Sequence, residues 1–198
     1  MGAERKSAVI TPETAKCTAY HEAGHAVVSW RLPFADKLLK VSIVPRGKSL
    51  GAAWYLPEER QIYTKAQFMD RICAGLGGRV AEEVVFKEVT SGALDDLEKI
   101  TKQAYTMVAY YGLDEALGQV SYYDSTGASE QSLQKPYSEA TAQLIDTEVR
   151  RLLDEAYQRT RKVLEENRDA LEQVAQLLLQ REVVLASDLE HILGEKTN

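Results

Sequence analysis

The chain has 198 residues, 44% of them apolar, and 30 acidic side chains against 24 Lys and Arg leave a net charge of −6. These values exclude collagenous, disordered and disulfide-scaffold classes, and the acidic balance argues against a nucleic-acid binder held by phosphate contacts. No apolar run approaches the roughly 18 residues of a membrane span, and two cysteines without a signal peptide suit a reducing compartment, so the chain reads as soluble.

Residues 1–10 read as a tether. Thr11 as N-cap, Pro12 at the first helical position and Glu13 at the positive end open a helix. Its apolar stripe runs through Ala15, Ala19, Ala23, Ala26, Val27 and Trp30 and ends near Pro33. Leu39, Val41 and Ile43 alternate with Lys40 and Ser42, which predicts a strand with one buried face. Residues 51–56 predict a second short strand closed by Pro57, so a small sheet is expected. Thr64 and Gln67 form a capping box for a long helix carrying Phe68, Ile72, Leu76, Val80 and Val84. Gly75, Gly77 and Gly78 interrupt it, each at a cost of up to about 1 kcal/mol relative to Ala, which implies close approach of another helix. A further helix starts around Ser91-Gly92-Ala93 and reaches Gly112, and 113–137 reads as loop. Ser138 caps a long helix, Asn167 restarts another, and Ser187 with Glu190 is expected to cap a last short one. The fold class is therefore mainly α with a small β-sheet. Residues 11–137 are expected to hold the chemistry, and 138–198 to form a C-terminal helical bundle of the same domain.

One motif carries chemistry. His21-Glu22-Ala23-Gly24-His25 is H-E-x-x-H inside a predicted helix. Spacing by four puts both imidazoles on one face, about 6 Å apart along the axis, so both rings can converge on one tetrahedral Zn²⁺. Glu22 lies one position round the helix, placed to act as general base to a water at the metal. This is a zincin-like helix core, with a third ligand from elsewhere. No metzincin continuation follows. Cys17 shares the face but lies two turns from His25, about 12 Å, too far to share one ion. His191 stands alone in the last helix and reads as a surface residue. Carboxylates downstream remain.

Several blocks now carry a resemblance. Ala19 to Ala26, Val44-Pro45-Arg46-Gly47, Leu76-Gly77-Gly78-Arg79 with Ala81-Glu82-Glu83, and Thr90-Ser91-Gly92-Ala93-Leu94-Asp95-Asp96-Leu97 follow in order, with Pro136 to Glu139 and Arg181 to Val183 behind them. Together they resemble the peptidase domain of the FtsH-type membrane-bound AAA+ ATP-dependent zinc metalloproteases. The resemblance implies that Asp96 is the third zinc ligand, with Asp95 as the alternative, because bacterial members usually carry Asn at that position and mitochondrial ones Asp. It also implies that Glu82 orients a ligating histidine. It implies one Zn²⁺ per chain, with ATP and Mg²⁺ confined to an ATPase module that this chain lacks and to which residues 1–10 would tether it. The implied partners are polypeptide substrates, the ATPase and transmembrane segments of a parent chain, and five further copies in a homo-hexamer. The implied location is the bacterial inner membrane with this domain in the cytoplasm, or the mitochondrial inner membrane on the matrix side.

The rival readings are a non-catalytic ring-forming module of such a protease, disfavoured by the presence of Glu22, and a zincin of another clan acting on small peptides. Gly47-Lys48-Ser49 resembles half a P-loop, but Ser42 stands where its first glycine belongs and a strand follows where a helix is required. The tyrosines at 105, 110, 111, 122 and 123 read as core and interface, not as a base-stacking platform.

Overall fold

Helix α1 (Pro12–Arg31) is sheathed on every side, with all twelve residues Ala19–Trp30 buried. The computed structural model describes residues 11–45, 50–56, 62–124 and 136–196. The expected tether at 1–10, the Gly47-Lys48-Ser49 segment and Pro57 lie outside the described residues. A one-sided apolar stripe is thus an incomplete account of α1. Its Ala and Gly positions let neighbours close in on the remaining faces, and the helix runs through the middle of the molecule.

After α1 come strands β1 (Leu38–Ser42) and β2 (Ala52–Tyr55), helix α2 (Lys65–Phe86), a 3₁₀ turn at Ser91–Ala93 and helix α3 (Leu94–Ala109). The C-terminal part holds α4 (Glu139–Glu166), α5 (Arg168–Arg181), strand β3 (Val183–Leu185) and α6 (Ala186–Leu193). The chain is mainly helical with a small three-stranded sheet. Local chemistry sets most boundaries. Thr11 Oγ1 accepts the Thr14 N–H at 3.2 Å, Thr64 and Gln67 cap each other's backbone at 3.3 and 2.8 Å, and Ser138 Oγ accepts the Thr141 N–H at 3.3 Å. Each such cap contributes about 1 kcal/mol. Ser187 is not a cap: α6 begins at Ala186, and the Leu185 N–H donates to the Asp188 carboxylate at 3.0 Å.

The sheet has the order β2-β1-β3, antiparallel throughout, which leaves β2 at an edge. The alternation expected in β1 fails because the register shifts between Leu38 and Lys40. That bulge buries Leu38 and Val41 and turns Leu39 outward, 44% exposed.

The glycines of α2 do what their cost implied. A Cβ on Gly24 would stand 2.2 Å from the Gly77 carbonyl oxygen, and one on Gly77 would stand 2.7 Å from the Gly24 oxygen. The two helices therefore touch backbone to backbone. Helix α4 packs on α2 and α3, α5 packs along α1, and one buried apolar cluster extends from Ala19 to Leu193. The end of α1 is tied to the C-terminal segment. Trp30 Nε1 donates to the Gly194 carbonyl at 2.8 Å, and Lys196 Nζ donates to the carbonyls of Ser29, Leu32 and Ala35 at 3.0–3.2 Å. The bond to Ser29 satisfies a carbonyl that the last turn of α1 leaves open. Among the described residues no helix is long and apolar enough to cross a membrane.

Candidate metal centre

The middle of α1 carries His21, Glu22 and His25, all buried. One helical turn brings the two imidazole rings to a centroid distance of 4.8 Å, and their Nε2 atoms to 3.1 Å. Asp96, in the first turn of α3, completes the group: its Oδ2 lies 3.2 Å from His21 Nε2 and 3.4 Å from His25 Nε2. Among the described residues these three form the one set of His, Cys, Asp or Glu side chains close enough together to hold a metal ion.

The far sides of both rings are already committed. His25 Nδ1–H donates to the Ala74 carbonyl of α2 at 2.8 Å, which fixes that ring's proton on Nδ1. His21 Nδ1–H donates to Glu82 Oε1 at 2.6 Å. Both Nε2 atoms of the neutral rings therefore present lone pairs, and the third atom facing them is a carboxylate oxygen. Three acceptors this close repel unless a positive charge joins them. The Nε2 separation is near the roughly 3.3 Å expected for two nitrogens each about 2.0–2.1 Å from one tetrahedral zinc. The donor set, two imidazoles and one carboxylate, is one that catalytic zinc takes. The residues fit the ion.

The charges around the cluster tell the same story. Burial disfavours an imidazolium at His21, yet Asp96 and Glu82 outweigh it and raise the ring to about 10. Burial works against the Asp96 carboxylate too, but His21 and His25 hold it well below the usual range. Glu82, opposed by burial, is held down by His21 and by the Thr90 N–H, which donates to Oε2 at 2.8 Å. Glu22 behaves differently. Desolvation raises its carboxyl, and the nearby histidines only moderate the rise. A carboxylate with raised proton affinity beside a cation site is suited to taking and giving back a proton.

Asp95 stands outside this group. Its side chain is 75% exposed and ion-paired with Lys99 at 2.5 Å. Cys17 is half-buried in the N-terminal part of α1, and His191 is exposed on α6; neither reaches the cluster. Sequence reasoning did not single out Gly78 or Ala74 as parts of the site. A Cβ on Gly78 would stand 2.4–2.5 Å from three atoms of the His21 ring, so that glycine is the space the imidazole occupies. Gly51, at the start of the edge strand, lies against Glu22 in the same way: a Cβ there would be 2.7 Å from Oε1. The glycine cluster was the available signal for Gly78, whereas nothing in the sequence marks the Ala74 carbonyl.

Comparison with known proteins gives an independent view. The model of Peptidase family M41 matches residues 8–192. The ATP-dependent zinc metalloprotease FtsH of Parabacteroides distasonis is 54% identical over 195 residues, 98% of this chain and 28% of that protein. FtsH of Rhodothermus marinus is 52% identical over 98% of the chain and 28% of its own length. The mitochondrial inner membrane m-AAA protease component AFG3L2 of Mus musculus is 51% identical over 98% of the chain and 24% of its own. The chain thus spans about a quarter of the length of these curated relatives.

Proposed function

Because the chain belongs to peptidase family M41, we propose that it is the zinc-dependent endopeptidase part of a longer protease, with a zincin-like core. The observation that carries the reading is the convergence of His21 Nε2, His25 Nε2 and Asp96 Oδ2, with both Nδ1 protons committed elsewhere. These three side chains hold the metal. Zinc bound there supplies Lewis acidity, which polarises a peptide carbonyl and acidifies water.

Glu22 takes a proton from the attacking water and returns it to the leaving amine nitrogen. Its desolvated carboxyl is a stronger base than a free glutamate, which suits both transfers. Glu82 keeps the His21 proton on Nδ1 and so keeps Nε2 available as a ligand. Strand β2, an edge of the sheet among the described residues and preceded by Gly51, which lies against Glu22, is where an extended polypeptide would add by strand pairing. Pairing through backbone requires substrates without fixed structure and confers weak sequence preference.

The relatives' names, ATP-dependent in one and mitochondrial inner membrane in the other, support an ATP-dependent, membrane-bound parent; on this reading an ATPase ring of that parent delivers unfolded or membrane-extracted polypeptides. On the same reading the parent lies in the bacterial inner membrane, with this domain in the cytoplasm; the alternative is the mitochondrial inner membrane, matrix side. Substitution of Glu22 by Gln is the test. The variant should retain zinc, because the ligands remain, and should lose casein digestion by at least about a hundredfold, because an amide cannot accept the proton. Wild-type turnover in the variant would sink the mechanism.

A further inference from the structure

Helix α2 ends on Lys87 in the left-handed region, φ 61°, and the chain turns back towards α1. The backbone of Thr90 is then gripped from both sides by α2. Its N–H donates to Glu82 Oε2 at 2.8 Å, and its carbonyl accepts from Arg79 Nη1 at 2.9 Å. Thr90 Oγ1 in turn accepts the Gly92 N–H at 3.1 Å and caps the 3₁₀ turn that leads directly into α3 and Asp96. An unbroken chain of hydrogen bonds thus runs from the His21 ring through Glu82 to Thr90, and Arg79 closes it from the other side.

We propose that Arg79 is a positioning residue for the metal set: with Glu82 it holds Thr90, and thereby sets where Asp96 stands against His21 and His25. The proposal rests on the zinc reading above. The physical case is one of reach. His21 and His25 are fixed relative to each other by one turn of a buried helix. Asp96 arrives from a separate element after an exposed loop, so its place depends on what pins that loop. Glu82 reports to both sides at once, since one oxygen takes the His21 proton and the other takes the Thr90 N–H. Without Arg79 the Thr90 carbonyl loses its hold on α2, and the loop is left with the bond to Glu82 and the contact of the Thr90 side chain with Cys17 of α1. The half-buried Arg79 side chain borders an open cavity of about 490 Å³, so shortening or neutralising it leaves no sealed hole in the core.

Three forms of the 198-residue chain test this: wild type, Arg79→Met and Arg79→Lys. Zinc affinity is read by competition with a chromogenic chelator, site geometry by the visible absorption of the cobalt-substituted protein, and fold by the thermal midpoint of the metal-free chain. Loss of a group that orients metal ligands costs 10–100-fold in affinity, and Arg79, one step removed, should give about tenfold in the Met variant. Its cobalt spectrum should weaken while its metal-free midpoint moves little. Arg79→Lys keeps a donor and a charge, and should return affinity to within about threefold of wild type. Should the Met variant not fold, Arg79→Gln carries the same expectation at smaller size. Unchanged affinity and spectrum in the Met variant overturn the proposal. So does an equal loss in Met and Lys variants that merely follows a falling metal-free midpoint. A wild-type chain that binds no zinc overturns the function itself, an outcome distinct from either.

Discussion

Two carboxylates compete for the His21 imidazole, Glu82 at Nδ1 and Asp96 at Nε2, and this makes the ring a pH-dependent part of the fold. When no metal is bound, the positive charge the cluster demands comes from a proton. The ring's affinity for it, opposed by burial and raised by Asp96 and Glu82, goes from 6.5 to about 10. A group whose folded value is raised contributes stability that is complete below its unfolded value and lost as pH rises through the folded one. The thermal midpoint of chelator-treated protein should therefore fall as pH rises from 6.5 towards 10. Zinc-loaded protein, whose His21 is a neutral ligand, should lack that fall. A chelator-treated midpoint that stays level between pH 7 and 9 would contradict the assignment. At this scale the H-E-x-x-H residues were legible because their partners lie one helical turn apart. Asp96 was not reachable from spacing and entered through resemblance. The Ala74 carbonyl and the Thr90 backbone carry no side-chain signal at all.

At the scale of elements, the site depends on how closely α2 lies against α1. Gly77→Ala would place a methyl against the α1 backbone, where neither side can yield. Ala favours a helix over Gly by about 1 kcal/mol, but overpacking costs about 1–3 kcal/mol and more against main chain, so the net effect is destabilising. Gly78→Ala should act differently. Its methyl meets the His21 ring, which swings away, so zinc content should drop further than the urea midpoint does. Urea denaturation and metal analysis of both variants separate the two effects; equal behaviour would contradict the distinct roles. The sequence reading anticipated close approach from three glycines in four positions. It missed β3, whose Val183–Leu185 is too short for any period to register. It also misplaced the buried face of β1, because a bulge changes the phase of alternation without a marker residue.

At the scale of the whole molecule, the described residues before the C-terminal helices share one core with those helices, and α5 and the Gly194–Lys196 segment brace α1. Some aromatic and apolar side chains remain outside that core. Tyr105, Tyr110 and Tyr122 pack against it, whereas Tyr111 is 60% exposed, Tyr123 64% and Ile62 85%. Exposed groups of this kind suit association with further copies, and a ring needs unlike patches meeting head to tail. Light scattering across a concentration series should show the chain associating towards a hexamer. A strictly monomeric mass at the highest attainable concentration would assign ring formation to the rest of the parent protein.

Folding delivers the Asp96 carboxylate to His25 and to His21, which stands 75 residues earlier in the sequence, and on the proposed function the three hold zinc. Zinc content of purified Asp96→Ala, measured beside Asp95→Ala, tests it most directly. Asp96→Ala should lose the metal, because one of three protein ligands is gone. Asp95→Ala should keep about one zinc per chain, because that side chain faces solvent and pairs with Lys99. Full zinc in Asp96→Ala, or loss confined to Asp95→Ala, would contradict the account.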